Sequence, residues 1–220
     1  MFTTQNHWKS WISLRLSVLA ATVLLVGCAG FEGGYGPGAG HFDTVVVDAG
    51  HGAHDPGASA VSGSREKVLA LDTSQRLAKI LRSRGLRVIE TRSSDVFISL
   101  PRRVEISNRT GNAIFVSVHY NWSRRRGANG IEIFYYNSRS RRLAANVLKE
   151  TLRAYPTTNR GVKTARFHVL RNNRRPAILC ELGFLSNPKD NSHVQKPSVR
   201  QRLAEKIAAG ILAEKAGRSS

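Results

Sequence analysis

Two histidines and two glutamates stand at positions where they could form a hydrolytic metal site. His51 follows an apolar run and has a glycine on each side, and His119 closes a second apolar run. Glu181 follows a third apolar run, and Glu66 begins a helical stretch. Two imidazoles and one carboxylate that leave a fourth position open form a hydrolytic zinc site. A second carboxylate would then carry the proton.

The elements that must position these residues are predicted from short apolar runs that alternate with helical stretches. This pattern is typical of parallel strands joined by helical crossovers, and in such open sheets ligands bind beyond the carboxyl ends of the strands. Because His51, His119 and Glu181 are each expected just past the end of a strand, they should converge on one crevice. The sequence therefore predicts one α/β domain, a twisted and mostly parallel sheet flanked by helices. The predicted strands are Thr44–Asp48, Leu86–Glu90, Ala113–Val118, Ile131–Tyr136, a short strand near Phe167–Leu170, and Ala177–Cys180, and the predicted helices are Arg65–Arg84, Leu100–Arg109, Arg139–Leu152 and Ser198–Lys215.

The N-terminal residues 1–27 have the pattern of a secretion signal. Lys9 and Arg15 precede an apolar stretch that ends in small residues, and this stretch is shorter than the roughly 20 apolar residues of a membrane-spanning helix. It ends in Leu25-Val26-Gly27-Cys28, which resembles a bacterial lipobox, where the cysteine is lipidated. The alternative is an ordinary cleaved signal that happens to contain Cys28.

The rest of the chain is predicted to be a tether and one folded domain. Residues 28–41 are rich in glycine and favour a flexible tether, which leaves 42–220 as the catalytic domain. The protein is therefore expected to be exported and anchored through Cys28 in a bacterial membrane, inner or outer, facing the periplasm. Cys180 would then have no disulfide partner and is expected to act as a small buried hydrophobe.

The charge of the chain predicts an anionic partner. The formal net charge is +19, and a surplus of this size favours contact with an anionic surface. For an exported protein that surface is the cell wall or lipid rather than nucleic acid. The basic clusters are Arg102–Arg103, Arg124–Arg126, Arg139 with Arg141–Arg142, and Arg174–Arg175.

Several segments in order resemble one family, the zinc-dependent N-acetylmuramoyl-L-alanine amidases of the amidase-3 type, which are cell-wall hydrolases. The principal segments are 48–58, 117–121 and 181–188, and the stretches 91–104 and 169–177 are also similar. The resemblance covers about Asp43 to Lys215. Several motifs in the right order are more specific than one short motif alone.

The resemblance assigns roles to individual residues. By position it implies that His51, Glu66 and His119 hold zinc and that Glu181 is the catalytic glutamate, which moves the proton of an activated water. The implied reaction is hydrolysis of the amide between the lactyl group of N-acetylmuramic acid and L-alanine in peptidoglycan. Asn121 could orient the substrate, or else shape a loop. Arg171 could hold a peptide carboxylate, or else be an ordinary surface arginine.

The segment Trp122–Asn129 is too short to form a helix that covers the zinc. Asp48 and Asp55 are expected to shape the loop around His51. Two other functions remain open, namely a zinc peptidase that cuts within the stem peptide and a non-catalytic lipoprotein that binds peptidoglycan.

Overall fold

The computed structural model describes residues 39–217, which form a six-stranded sheet with helices on both faces. The predicted signal peptide, most of the predicted tether and Cys28 lie outside the described residues. The strands are β1 (Thr44–Ala49), β2 (Arg87–Glu90), β3 (Ala113–Asn121), β4 (Ile131–Tyr135), β5 (Asn159–Thr164) and β6 (Ala177–Phe184). The helices are α1 (Glu66–Ser83), α2 (Leu100–Arg109), α3 (Arg141–Thr151), α4 (His168–Arg171), α5 (Pro188–Val194) and α6 (Pro197–Lys215).

The strand order across the sheet is β2-β1-β3-β6-β4-β5. All neighbouring strands are parallel except β4 and β6, which are antiparallel. Every residue of β1 is buried, as expected for a strand covered on both faces by helices. The predicted α/β fold with a mostly parallel sheet is confirmed.

The sheet separates two hydrophobic clusters, because alternate residues of a strand point to opposite faces. Val45 and Val47 belong to the larger cluster, which also contains the apolar residues of α1, α3 and α6. Val46 belongs to the smaller cluster, with Val104 of α2 and Leu170 of α4. Cys180 is fully buried in the larger cluster, as predicted. Among residues 39–217, no helix combines the length and the apolar character needed to cross a bilayer.

The strand predicted near Phe167–Leu170 is wrong, because this segment forms the single helical turn α4. The carbonyl oxygen of Phe167 accepts hydrogen bonds from the backbone nitrogens of Leu170 and Arg171. Val169 and Leu170 are nevertheless buried. A short apolar run of this kind does not distinguish a strand from a buried helical turn. The edge strand β5 was not predicted, since its sequence lacks an apolar run and its residues are at most half-buried.

Strands β3 and β6 continue beyond their predicted ends, which corrects the expected positions of two site residues. His51 lies just past β1 as predicted, but His119 and Glu181 lie inside β3 and β6. They are paired in register with each other. Polar residues extend these strands because both strands are central in the sheet, so their backbone groups find partners on either side.

Candidate metal centre

Three predicted ligands converge at the carboxyl ends of the strands. The possible ligand atoms of His51, Glu66 and His119 all lie within 4.8 Å of one another. Nε2 of His51 is 3.0 Å from Oε2 of Glu66, and Nδ1 of His119 is 2.8 Å from Oε1 of the same carboxylate. Each residue comes from a different element, namely the loop after β1, the first residue of α1 and the interior of β3.

Glycines allow this close approach. A Cβ atom on Gly50 would lie 2.3 Å from Cε1 of His119. A Cβ atom on Gly57 would lie 2.6 Å from Cδ2 of His51 and 2.7 Å from Oε2 of Glu66. Heavy atoms cannot approach so closely, so any larger residue would displace the imidazoles or the carboxylate.

The electrostatics of the three residues suit a divalent cation. Burial alone would raise the pKa of the Glu66 carboxyl, but hydrogen bonds from His119 and His51 hold that pKa well below its usual range. Burial would lower the pKa of His51, but Glu66 and Asp55 raise it above its ordinary value. Glu66 is thus an ionised carboxylate between two imidazoles. Two nitrogen donors and one anionic oxygen fit a metal ion with an open coordination position.

Asp55 orients His51. Oδ2 of Asp55 is 2.8 Å from Nδ1 of His51, so the opposite ring nitrogen, Nε2, faces Glu66. A carboxylate in this position fixes the tautomer and the ring orientation of a metal-binding histidine. Asp55 also accepts a hydrogen bond from the backbone nitrogen of Gly57. Asp55 was expected only to shape the loop, and its contact with the imidazole was not predicted. A carboxylate four residues after a histidine could have indicated this contact.

Arg103 is a buried residue that holds the loop carrying His51. Its side chain is only 3% exposed, and Nη2 donates to the backbone carbonyl oxygen of His51 at 2.7 Å. Nη1 donates to Oδ1 of Asp48 at 2.7 Å and to the carbonyl oxygen of Ala49 at 2.5 Å. Asp48 is thus the counterion of Arg103, and its other contacts are the hydroxyl groups of Thr91 and Ser117.

Arg92 holds the same loop from a second direction. Nη2 donates to the carbonyl oxygen of Gly50 at 2.7 Å, and Nε donates to the carbonyl oxygen of Ala49 at 3.0 Å. Burial and the neighbouring Arg103 lower the pKa of the Arg92 guanidinium. Arg103 was expected only as part of the basic cluster Arg102–Arg103, and that expectation is wrong for Arg103 because its side chain is buried against Asp48. No role was predicted for Arg92. The one usable signal was that both belong to a segment resembling the family.

Glu181 carries a buried carboxylate oxygen without a hydrogen-bond partner in the described part of the chain. It is half-buried, and Oε2 has no hydrogen-bond partner among residues 39–217. Burial, followed by the charges of Glu66 and Glu132, raises the pKa of Glu181 well above its usual value. Glu181 is paired in register with His119 of β3 on one side and with Glu132 of β4 on the other. This arrangement gives a carboxyl group that can hold a proton beside the three candidate ligands.

A cavity of about 590 Å³ opens above these residues. It is lined by all four polar residues and has exposed apolar side chains at its rim, namely Phe97, Leu100, Trp122 and Phe167. The loop between β3 and β4 contains no helix. A cleft with converging polar groups and apolar walls is the usual form of a small-ligand site.

Of the two residues predicted to bind substrate, one lines the cavity and the other does not. Asn121 lines the cavity, and its Nδ2 atom donates to Oε1 of Glu132 at 2.7 Å. Arg171 is exposed at the end of α4 and is not one of the residues that line the cavity, although Phe167 and His168 are. The role of each in substrate binding stays a prediction.

Comparison with known proteins identifies the family to which this chain belongs. The sequence pattern of the N-acetylmuramoyl-L-alanine amidase family Amidase_3 matches residues 45–213. The chain therefore belongs to this family, which confirms the resemblance found from its motifs.

Solved structures of the family have the same fold. The catalytic domain of CwlV, an N-acetylmuramoyl-L-alanine amidase from Bacillus (Paenibacillus) polymyxa var. colistinus, is 36% identical with a TM-score of 0.76, and the match covers 80% of this chain and 99% of that domain. The N-acetylmuramoyl-L-alanine amidase AmiC2 of Nostoc punctiforme is 38% identical with a TM-score of 0.75, over 80% of this chain and 97% of that chain.

Curated relatives include proteins longer than this chain. LytH of Staphylococcus epidermidis, named as a probable cell wall amidase, is 35% identical over 170 residues, which are 76% of this chain and 57% of LytH. The chain thus matches little more than half the length of LytH. YqiI of Bacillus subtilis, an uncharacterised protein, is 35% identical over 209 residues, which are 91% of this chain and 95% of YqiI.

Proposed function

We propose that this protein is a zinc-dependent N-acetylmuramoyl-L-alanine amidase that hydrolyses the amide between the lactyl group of N-acetylmuramic acid and L-alanine in peptidoglycan. The observation that carries the proposal is the convergence of His51, Glu66 and His119 beside the unpartnered Oε2 atom of Glu181, at the base of an open cleft. Family membership supports the choice of bond, since the matched family and the similar solved structures are described as amidases of this type.

In this proposal the chain's own residues divide the work. His51, Glu66 and His119 hold the zinc ion, and Asp55 keeps the His51 ring in the required tautomer. When bound, zinc would supply Lewis acidity and an activated water at neutral pH. The carboxylate of Glu181 takes a proton from the attacking water and transfers it to the nitrogen of L-alanine as the amide C–N bond breaks. The cleft walls orient the amide over this carboxylate.

The deciding experiment identifies the bond that is cut. Purified protein loaded with zinc is incubated with peptidoglycan, and the released fragments are analysed by mass spectrometry. The proposal expects stem peptides with a free L-alanine N-terminus, and it expects that a chelator abolishes their release. Fragments cut inside the stem peptide would instead identify a peptidase. Binding without any release would identify a non-catalytic peptidoglycan-binding protein.

The metal itself is tested separately from the reaction. The proposal expects about one zinc ion per chain by elemental analysis, and loss of that zinc in His51→Ala or His119→Ala. Lys79 lies on the exposed surface of α1, so Lys79→Ala serves as a control that should retain zinc. Absence of zinc from the wild-type protein after supplementation would refute the assignment.

The proposed organisation places this activity in the cell envelope. Residues 1–27 would be a lipoprotein signal, residues 28–41 a tether from a lipidated Cys28, and residues 42–220 the catalytic domain. Stable anchoring needs more than one lipid chain, and bacterial lipoproteins carry several. Cell fractionation should find the wild-type protein with membranes and the Cys28→Ser protein released. A Cys28→Ser protein that stays with membranes would remove the anchor.

The exposed arginines would contact anionic wall or lipid groups, and no nucleic-acid partner is proposed. The side chains of Arg124, Arg126 and Arg139 are exposed on the described surface. Contacts of this kind weaken with salt, because the screening length falls from about 10 Å at 0.1 M to about 3 Å at 1 M. Sedimentation with purified cell walls should therefore decrease with salt and with Arg124→Gln and Arg126→Gln together. Binding that is independent of salt would contradict this part of the proposal.

A further inference from the structure

A second cavity adjoins the metal cleft. Its volume is about 670 Å³, and it shares Asn121 and Trp122 with the cleft. Its distinguishing residues are Arg125, Glu132 and Arg160. Because Asn121 and Trp122 line both cavities, the second cavity lies directly beside the cleft, within reach of a ligand that extends past these two residues.

Glu132 cannot serve as a free carboxylate in this cavity. Its side chain is only 5% exposed, and both oxygens are already used. Oε1 accepts from Asn121 at 2.7 Å, while Oε2 accepts from Nε of Arg160 at 3.0 Å and from the ammonium group of Lys163. Two cations therefore share one carboxylate, which leaves one positive charge in excess around Glu132. Of the two cations, Arg160 lines the cavity and Lys163 is not one of its lining residues.

Arg125 adds a further positive charge. Its side chain is exposed in the loop between β3 and β4, and its guanidinium has no hydrogen-bond or ion-pair partner among the residues that the structure describes. Arg160 is held more firmly, since it pairs with Glu132 and lies 4.9 Å from the ring centre of Phe184. One fixed and one free arginine thus face a cavity whose only acidic lining residue is already neutralised.

The position of the cavity relates it to the reacting bond. Glu132 and Glu181 are directly paired on the antiparallel strands β4 and β6, and their side chains therefore lie on the same face of the sheet. Neighbouring strands are about 4.8 Å apart, and an extended peptide advances about 3.3–3.6 Å per residue. A peptide whose amide lies over Glu181 and that runs toward β4 would bring its next one or two residues to the guanidinium group of Arg160, which bonds Glu132, in the cavity that Arg125 also lines.

We propose that this second cavity is a subsite that binds a carboxylate of the peptide substrate, on one of the two residues that follow L-alanine. This inference rests on the proposed amidase function. The planar guanidinium of arginine matches a carboxylate with two parallel hydrogen bonds, and the excess positive charge excludes a cationic side chain at the same place. Arg171, the residue expected from the sequence to hold a peptide carboxylate, lies outside the lining of both cavities.

The test uses two synthetic substrates, each an N-acetylmuramoyl group joined to a tripeptide that begins with L-alanine. In one substrate the two residues after L-alanine carry free carboxylates, and in the other these carboxylates are replaced by amides. For the wild-type zinc protein we expect kcat/KM to favour the carboxylate substrate by about tenfold or more, as for a hydrogen-bonded charged pair. Arg125→Gln should reduce this preference to near one, and Arg125→Lys should restore part of it. Arg174 is exposed and outside the cavity lining, so Arg174→Gln should keep the wild-type preference.

A binding measurement separates this inference from the proposed function. Calorimetric titration of Glu181→Gln with the same two substrates measures the preference without turnover, so it stands even if neither substrate is hydrolysed. Hydrolysis of neither substrate by the wild type would refute the amidase function alone. Equal kcat/KM or equal affinity for the two substrates, or a preference that Arg125→Gln does not change, would overturn the carboxylate subsite.

Discussion

Arg103 and His51 are joined by a hydrogen bond of 2.7 Å from Nη2 of the guanidinium to the backbone carbonyl oxygen of the histidine. His51 has φ of 60°, in the left-handed region, which is unfavourable for a residue with a side chain. The bond from a buried cation helps to offset that cost and holds the backbone from which the imidazole projects. Backbone geometry at a candidate ligand is thus maintained by an arginine 52 residues away in sequence.

The first prediction concerns this arginine. Arg103→Lys keeps a charge near Asp48 but loses the fork that also reaches His51, so zinc affinity should fall about 10–100-fold, as for other residues that orient metal ligands. Competition with a fluorescent chelator measures the affinity. The matched control is Arg200→Lys, since Arg200 is also buried and bonds the carbonyl oxygens of Val194 and Gln195 away from the cleft. The control should lower Tm while preserving zinc affinity, and an equal affinity for both variants would argue for a purely structural Arg103.

The second prediction concerns Asp55, whose carboxylate accepts from the His51 ring. In Asp55→Ala the ring can rotate and change tautomer, so we expect zinc affinity to fall about 10–100-fold while the metal-free protein remains folded. Asp95→Ala removes a carboxylate of the loop between β2 and α2, which holds the loop of His51 through the backbone of Ala53 and also bonds the ammonium group of Lys67. Asp95→Ala should reduce affinity much less. Equal losses in the two variants would show that loop order matters more than ring orientation.

The third prediction concerns Glu181 as the proton carrier. Glu181→Gln should retain zinc and fold but lose roughly 10²–10⁴-fold in hydrolysis rate, which is the usual contribution of a general acid–base. Rates of muropeptide release and zinc content are measured on the same preparation. A variant that digests peptidoglycan at the wild-type rate would remove Glu181 from the mechanism.

The fourth prediction concerns the pH dependence of stability in the metal-free protein. Burial and the charges of Glu66 and Glu132 raise the pKa of Glu181 in the folded state, so folding favours its protonated form. The associated stability is present below the unfolded pKa of about 4.3 and is lost as pH rises toward the folded pKa, by at most about 1.4 kcal/mol per unit. In excess chelator, Glu181→Gln should therefore gain stability over wild type between pH 5 and pH 7.5. Urea unfolding at both values tests this, and a constant difference would contradict the raised pKa.

The fifth prediction concerns Gly50. A Cβ atom there would lie 2.3 Å from the His119 ring, so Gly50→Ala should displace the imidazole and lose zinc binding at micromolar metal. Gly111→Ala is the matched control, because a Cβ atom at Gly111 meets no heavy atom within 4 Å. Zinc titration and Tm of both variants check the outcome. Retention of wild-type zinc affinity by Gly50→Ala would show that the ring can move without cost.

Much of the fold and the identity of the candidate ligands follow from local patterns in the sequence. Apolar runs predicted the central strands because such strands are buried on both faces and are therefore mostly apolar along their length. His51 was correctly placed after β1, and Glu66 at the start of α1, because glycine-rich loops and helix starts have local signatures. The edge strand β5 and the turn α4 were missed because neither has a distinctive periodicity.

Only the tertiary structure decided which residues far apart in the chain are in contact. The sequence by itself determined which residue types were available and at which strand or helix end they stand. The pairing of Glu132 with Glu181 depends on the antiparallel placement of β4, and the hold of Arg103 on His51 depends on the packing of α2 against the sheet. No local propensity specifies such contacts, because register and packing are set by the burial of the whole sheet between its helices.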